Sequence, residues 1–166
     1  MNDEIEMMRT SAINSVLERR DTIVVASVAA IYGLTDPKEY QRLAFYLKVG
    51  ETIDRKQLFR RLIDAQYQRN NLDLPPGQFR VRGDVIEIAS PGLADSAIRI
   101  DTFGDEIESI ALVDLLTGEV RQKYKSYPVY PAYGHASTHE RVIAACDRIE
   151  VELAARLKEL KDNNQL

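Results

Sequence analysis

Gln78-Phe79-Arg80-Val81-Arg82-Gly83-Asp84-Val85-Ile86-Glu87-Ile88 decides the fold. Phe79 and Val81 alternate with Arg80 and Arg82, which is the period of a strand buried on one face. Gly83-Asp84 is a two-residue turn, and Val85–Ile88 returns as a second strand. The unit recurs downstream. Residues 97–103 lead into Gly104-Asp105, and residues 106–113 follow. Thr117-Gly118-Glu119 marks a further turn before a Tyr/Val/Pro-rich stretch, Tyr124–Tyr133. Short strands joined by tight glycine turns predict an antiparallel β-meander.

Upstream, the period is helical. Asp36-Pro37-Lys38-Glu39 has the chemistry of a helix start, with Tyr40, Leu43, Ala44 and Leu47 as its stripe and Gly50 as its end. Asp54-Arg55-Lys56-Gln57 starts another helix, expected to run to about Gln66 with Leu58, Leu62 and Ala65 inward. Asn70-Asn71 and Pro75-Pro76-Gly77 then break the chain. Two helices packed on a meander make an α+β domain, expected over residues 35–136.

The flanks read differently. Residues 3–20 predict a helix whose stripe is Ile5, Met8, Ala12 and Val16. The run Thr22–Ile31 is apolar on both faces and β-branched at its start, so it predicts a strand buried on both sides, as in a parallel α/β sheet. One such strand and one helix do not make a domain, so residues 1–34 read as part of a larger one. From Ser137, with Glu140 as its box partner, a last helix runs on Val142, Ala145, Ile149, Leu153, Leu157 and Leu160.

The 166 residues carry 22 Lys+Arg against 26 Asp+Glu, a formal net charge of −4. That balance argues against coating nucleic acid by bulk electrostatics. A single cysteine, Cys146, supplies neither a disulfide nor a Cys-based zinc site, and a reducing, cytoplasmic setting is expected. The two histidines, His135 and His139, supply zinc and triad chemistry poorly. The acidic start does not read as a signal peptide, and no apolar run approaches the ~20 residues that span a bilayer. The patterns GxxxxGK[ST], GxSxG and HExxH do not occur.

Charge is unevenly placed. Residues 55–82 hold seven bases and two acids, a net of +5. Residues 83–120 hold one base and nine acids, a net of −8. Such a field steers encounter with an oppositely patterned partner. Arg80 and Arg82 share a strand face and lack nearby acids on their own strand. With Arg69, they read as anchors for carboxylates or phosphates. Arg99 and Asp101 share a face of a later strand, where cross-strand ion pairing is the plainer reading. The carboxylates at Asp105, Glu106 and Glu108 fit a solvated edge better than general acid–base work. Tyr32 lies past the end of the expected buried strand, where α/β proteins bind ligands, although a packed tyrosine is the plainer reading.

Five collinear blocks carry a resemblance: Ile23–Leu34, Gln66–Asn70, Gly77–Ile88, Phe103–Glu108 and Leu116–Val120. Together they are similar to the UvrB family of bacterial nucleotide excision repair proteins. Ala89-Ser90-Pro91 departs from the family's usual Phe-Pro. The related transcription-repair coupling factors carry a similar domain, but the Ile31–Leu34 and Leu116–Glu119 blocks favour UvrB. The resemblance implies that residues 35–136 are the insertion that binds UvrA, with contacts at Arg69, Arg80, Arg82, Arg99 and Asp101. It implies that residues 1–34 belong to a RecA-like helicase domain, with Tyr32 near the DNA path. Residues 137–166 would be a helix leading back to the helicase core. It also implies that ATP, magnesium, damaged DNA and UvrC are engaged by other parts of the full-length protein. This chain is then expected to hold no catalytic residue, cofactor or metal and not to be an enzyme itself. The rival readings are direct nucleic-acid binding by the 55–82 patch and a small independent enzyme.

Overall fold

In the computed structural model, residues 3–31, 37–134 and 139–165 are described. The chain divides into two compact units, Met1–Ala136 and Ser137–Leu166.

The meander forms as its alternation requires. Strands β3 (Gln78–Arg82), β4 (Val85–Ala89), β5 (Ser96–Phe103), β6 (Glu106–Asp114) and β7 (Val120–Tyr124) pair in sequence, each antiparallel to the next. The short strand β2 (Gln68–Arg69) adds to the β3 edge in parallel, completing six strands. Hairpin turns fall at Gly83 and Gly104, both with φ of 60°. A side chain there would crowd the backbone, which is why glycine holds these positions.

One sheet face is the core. Phe79, Ile86, Ile88, Ile98, Ile100 and Ile110 line it, all buried. Helix α3 (Arg55–Asp64) covers that face with Leu58 and Leu62, and Ala65 follows at its C-cap. Asp54 caps α3, its carboxylate accepting from the backbone N–H of Lys56 at 2.6 Å. The expected start and inward face of this helix are therefore observed. Buried Tyr67 donates to the Tyr130 carbonyl at 2.9 Å, and Ala132 N–H donates to the Ala65 carbonyl at 2.8 Å. These bonds tie the segment after the sheet to the end of α3.

Two expectations fail. Helix α2 is only Pro37–Leu43, and Phe45–Lys48 is strand β1, paired antiparallel with β8 (Ser126–Val129) in a separate two-stranded sheet. Leu47 fits a helical stripe by spacing. However, Phe45 and Leu47 also alternate with exposed Tyr46 and Lys48, and both enter the core from the strand. The capping role of Asp36 falls outside the described residues.

The buried strand over Thr22–Ile31 is also absent. Residues 22–27 have no regular structure, and Val28–Ile31 is a 3-10 turn. Ile23 and Val25 are 92% and 95% exposed. A two-faced strand needs hydrogen-bonded neighbours and a cover on each side. Among the described residues, nothing pairs with 22–27. Helix α1 (Asp3–Glu18) does form, but Ile5, Met8 and Val16 of its stripe are exposed. Polar contacts reach it: Tyr40 Oη donates to Asn14 Oδ1 at 2.8 Å, and Arg9 donates to the Ala30 carbonyl at 3.1 Å. In the second unit, α4 (His139–Asp162) leaves Val142, Ile149, Leu153 and Leu157 exposed. No helix among the described residues is long and apolar enough to cross a membrane.

Candidate docking face

The other face of the six-stranded sheet carries the charged residues. The two-residue turn at Gly83-Asp84 places Arg80 opposite Glu87, and the next pairing places Glu87 opposite Arg99. Arg80, Glu87, Arg99, Ala111 and Lys123 therefore form one row across five strands. Beside it runs a second row: Arg82, Val85, Asp101 and Ser109.

Glu87 is the pivot of the first row. It is 4% exposed although it stands on the face opposite the core. Its Oε2 accepts from Arg80 Nε in a short ion pair. Its Oε1 accepts from Arg99 at 3.2 Å (Nε) and 3.0 Å (Nη2). The two guanidiniums roof the carboxylate, and their side chains keep 17% and 30% of their exposure. Burial alone would push the Glu87 carboxyl up. The hydrogen bonds from Arg80 and Arg99, together with their charges, outweigh that and hold it below the ordinary carboxylate value. One acid against two bases leaves the cluster cationic.

The predicted site residues separate into two groups. Arg80, Arg82, Arg99 and Asp101 share the outer face. Arg82 is exposed and makes no ion pair among the described residues. Asp101 accepts from the Ser109 hydroxyl rather than pairing with Arg99. Arg69 does not join them. It stands in register with the core residue Phe79, so it turns to the α3 side, where its guanidinium lies 5.6 Å from the Phe59 ring centre. Tyr32 falls outside the described residues.

Sequence reasoning missed Glu87, because it sought acids only on the strand that bears the arginines. The hairpin register would have found it, since a two-residue turn fixes which residues face each other. It also passed over Phe103, 76% exposed at the end of β5 and in alternation with Arg99 and Asp101.

The basic run 55–82 is not one open patch. Arg55 pairs with Asp84 at 3.2 Å and donates to the Gly83 carbonyl. Arg61 lies 4.7 Å from the Phe45 ring centre. Among the described residues, no group of three or more His, Cys, Asp or Glu is placed to hold a metal ion.

Guanidiniums held on a rigid sheet, with donors left over, form a surface for carboxylate or phosphate groups. Residues 45–135, which contain this sheet and α3, match the family described as UvrB interaction domain. The chain belongs to that family. It is 51% identical over its 166 residues to UvrABC system protein B of Gloeobacter violaceus, covering 100% of this chain and 24% of that protein. The corresponding protein of Microcystis aeruginosa is 50% identical, and that of Staphylococcus haemolyticus 46%, each over 100% of this chain and 25% of the relative. The chain thus spans about a quarter of the length of these relatives.

Proposed function

We propose that this chain acts in nucleotide excision repair as the part of a UvrB-type protein that docks onto UvrA, so that the full-length protein is loaded at damaged DNA. The observation that carries the reading is the outer sheet face: a fixed Arg80–Glu87–Arg99 cluster beside the exposed Arg82. Carboxylates on UvrA would take charge-assisted hydrogen bonds from these guanidiniums. Asp101 and the acidic strands would orient the partner. Arg69, on the α3 side, would reach UvrA only at the edge of such an interface. The family membership supports the same reading.

In this reading the chain holds no catalytic residue and no site for ATP or magnesium, which the full-length protein would bind elsewhere. Contacts with damaged DNA and with UvrC would likewise lie outside it. Residues 1–34 and 137–166 would belong to the helicase core, and the setting would be the cytoplasm.

A binding titration with purified UvrA tests the assignment. The Arg80→Ala/Arg82→Ala double variant should lose about 2–5 kcal/mol if the partner's charges are left buried. Unchanged affinity with an intact fold refutes it.

A further inference from the structure

We propose that Glu87 is the positioning residue of the docking face: its buried carboxylate fixes Arg80 and Arg99 from the middle strand so that their remaining donors point outward together. The inference rests on the docking reading above and adds to it a role for Glu87, which that reading leaves unassigned.

The geometry carries it. Glu87 lies directly opposite Arg80 on one neighbouring strand and directly opposite Arg99 on the other. Each carboxylate oxygen serves one guanidinium: Oε2 takes Arg80 Nε, and Oε1 takes Nε and Nη2 of Arg99. A guanidinium has five N–H donors in a rigid fork. Holding the Nε edge fixes the plane and leaves most of the outer fork unused. Arginine side chains carry large rotamer entropy, and a partner that must order them pays for it in affinity. Here the ordering is done before the partner arrives. Ala111, next in the row, is buried beside Ala97 and Val113, so the openness of the cluster rests on the exposure that Arg80 and Arg99 keep. Arg82, in the adjacent row, has no such anchor among the described residues.

The alternative roles for Glu87 are electrostatic brake and plain fold element: the sign of one substitution separates positioning from the brake, and thermal unfolding separates it from the fold element. Glu87→Gln removes a negative charge from the proposed acid-gripping face. If net charge governed affinity, binding to UvrA would tighten. If Glu87 positions the arginines, binding weakens although the face has become more positive.

The test uses the 166-residue chain and purified UvrA, with thermal unfolding of each variant as a check on folding. Glu87→Gln is expected to weaken binding about tenfold, the loss that reordering two arginine side chains implies. Arg82→Ala is the control, because Arg82 takes no part in the Glu87 cluster. Weakening by both variants supports the proposal. Weakening by Arg82→Ala with equal or tighter binding by Glu87→Gln overturns the role of Glu87 and leaves the docking face standing. Unchanged affinity for Arg82→Ala and for Arg80→Ala/Arg82→Ala overturns the docking reading and this proposal with it. A measurement on the unaltered chain covers the case in which Glu87→Gln does not fold. The arginine Nε–H resonances of Arg80 and Arg99 should be dispersed and slow to exchange in the free protein, with that of Arg82 averaged. Averaged signals for all three overturn the proposal.

Discussion

At the scale of single residues, Glu87 and Arg82 have opposite relations to the fold. Glu87 is buried and holds two cations, so removing it leaves two guanidiniums without their acceptor. Glu87→Ala should destabilise the chain by about 1–3 kcal/mol. That is below the ~3–5 kcal/mol typical of a fully buried pair, because Arg80 and Arg99 retain access to water. Arg82→Ala, by contrast, should shift stability by less than about 0.5 kcal/mol. Urea unfolding checks both, and a large loss at Arg82 would mean that it too serves the fold. The Glu87 contribution also depends on pH. Its folded value lies below that of an ordinary glutamate. Its stabilisation is therefore fully present above about pH 4.5 and is lost as pH falls through the lower folded value. The stability gap between the unaltered chain and Glu87→Gln should be widest at neutral pH and close on acidification below 4.5. A gap that widened with acid would contradict the assigned shift. Asp114 makes an independent case. Its carboxyl is pushed down to about 2, first by the Thr117 backbone N–H, against burial, with further help from Arg121 and the Leu116 N–H. A carboxyl-carbon titration should find Asp114 still ionised when ordinary aspartates have protonated.

At the scale of elements, helix α3 is the clearest link between sequence and core. Asp54 binds the free N–H groups of its first turn, and Leu58 and Leu62 enter the sheet. Asp54→Ala should cost about 1 kcal/mol. A shift in the unfolding midpoint without a change in slope would show that the cap alone was lost. The same local chemistry explains what was legible. Caps, stripes and two-residue turns act within a few residues, so α3, the hairpins and the α+β class could be read directly. Four of the five candidate binding residues share a face because strand alternation is itself local. The failures have longer-range causes. Phe45–Lys48 satisfies both a helical stripe and a strand alternation, and its pairing with Ser126–Val129, far along the chain, decides between them. Arg69 was placed with Arg80 and Arg82 by charge, but its parallel register beside Phe79 turns it to the other side. Residues 22–27 have the composition of a central strand, yet composition supplies no hydrogen-bond partners. No described strand pairs with them.

At the scale of the whole molecule, the charge pattern favours the proposed protein partner over nucleic acid. The chain carries a net −4, and its basic run is dispersed by folding. Arg55 is tied to Asp84, Arg61 and Arg69 lie against phenylalanine rings, and Arg80 is held by Glu87. What faces outward on the sheet is a compact cationic cluster of Arg80, Arg99 and Arg82, set in a chain with an excess of acid. Such an arrangement suits a few fixed carboxylates on a matching surface. A duplex requires many phosphates neutralised along a track, and the surrounding acids oppose that. The association rate with UvrA should therefore fall about tenfold or more between ~50 mM and ~500 mM salt, as electrostatic steering is screened. Binding of the same chain to plain duplex DNA should be no tighter than about 10⁻⁴ M at physiological salt. Stopped-flow association and a duplex titration measure the two quantities. A salt-insensitive association rate would remove steering from the account of this face. Tight duplex binding with a steep salt dependence would assign the arginines to phosphate instead.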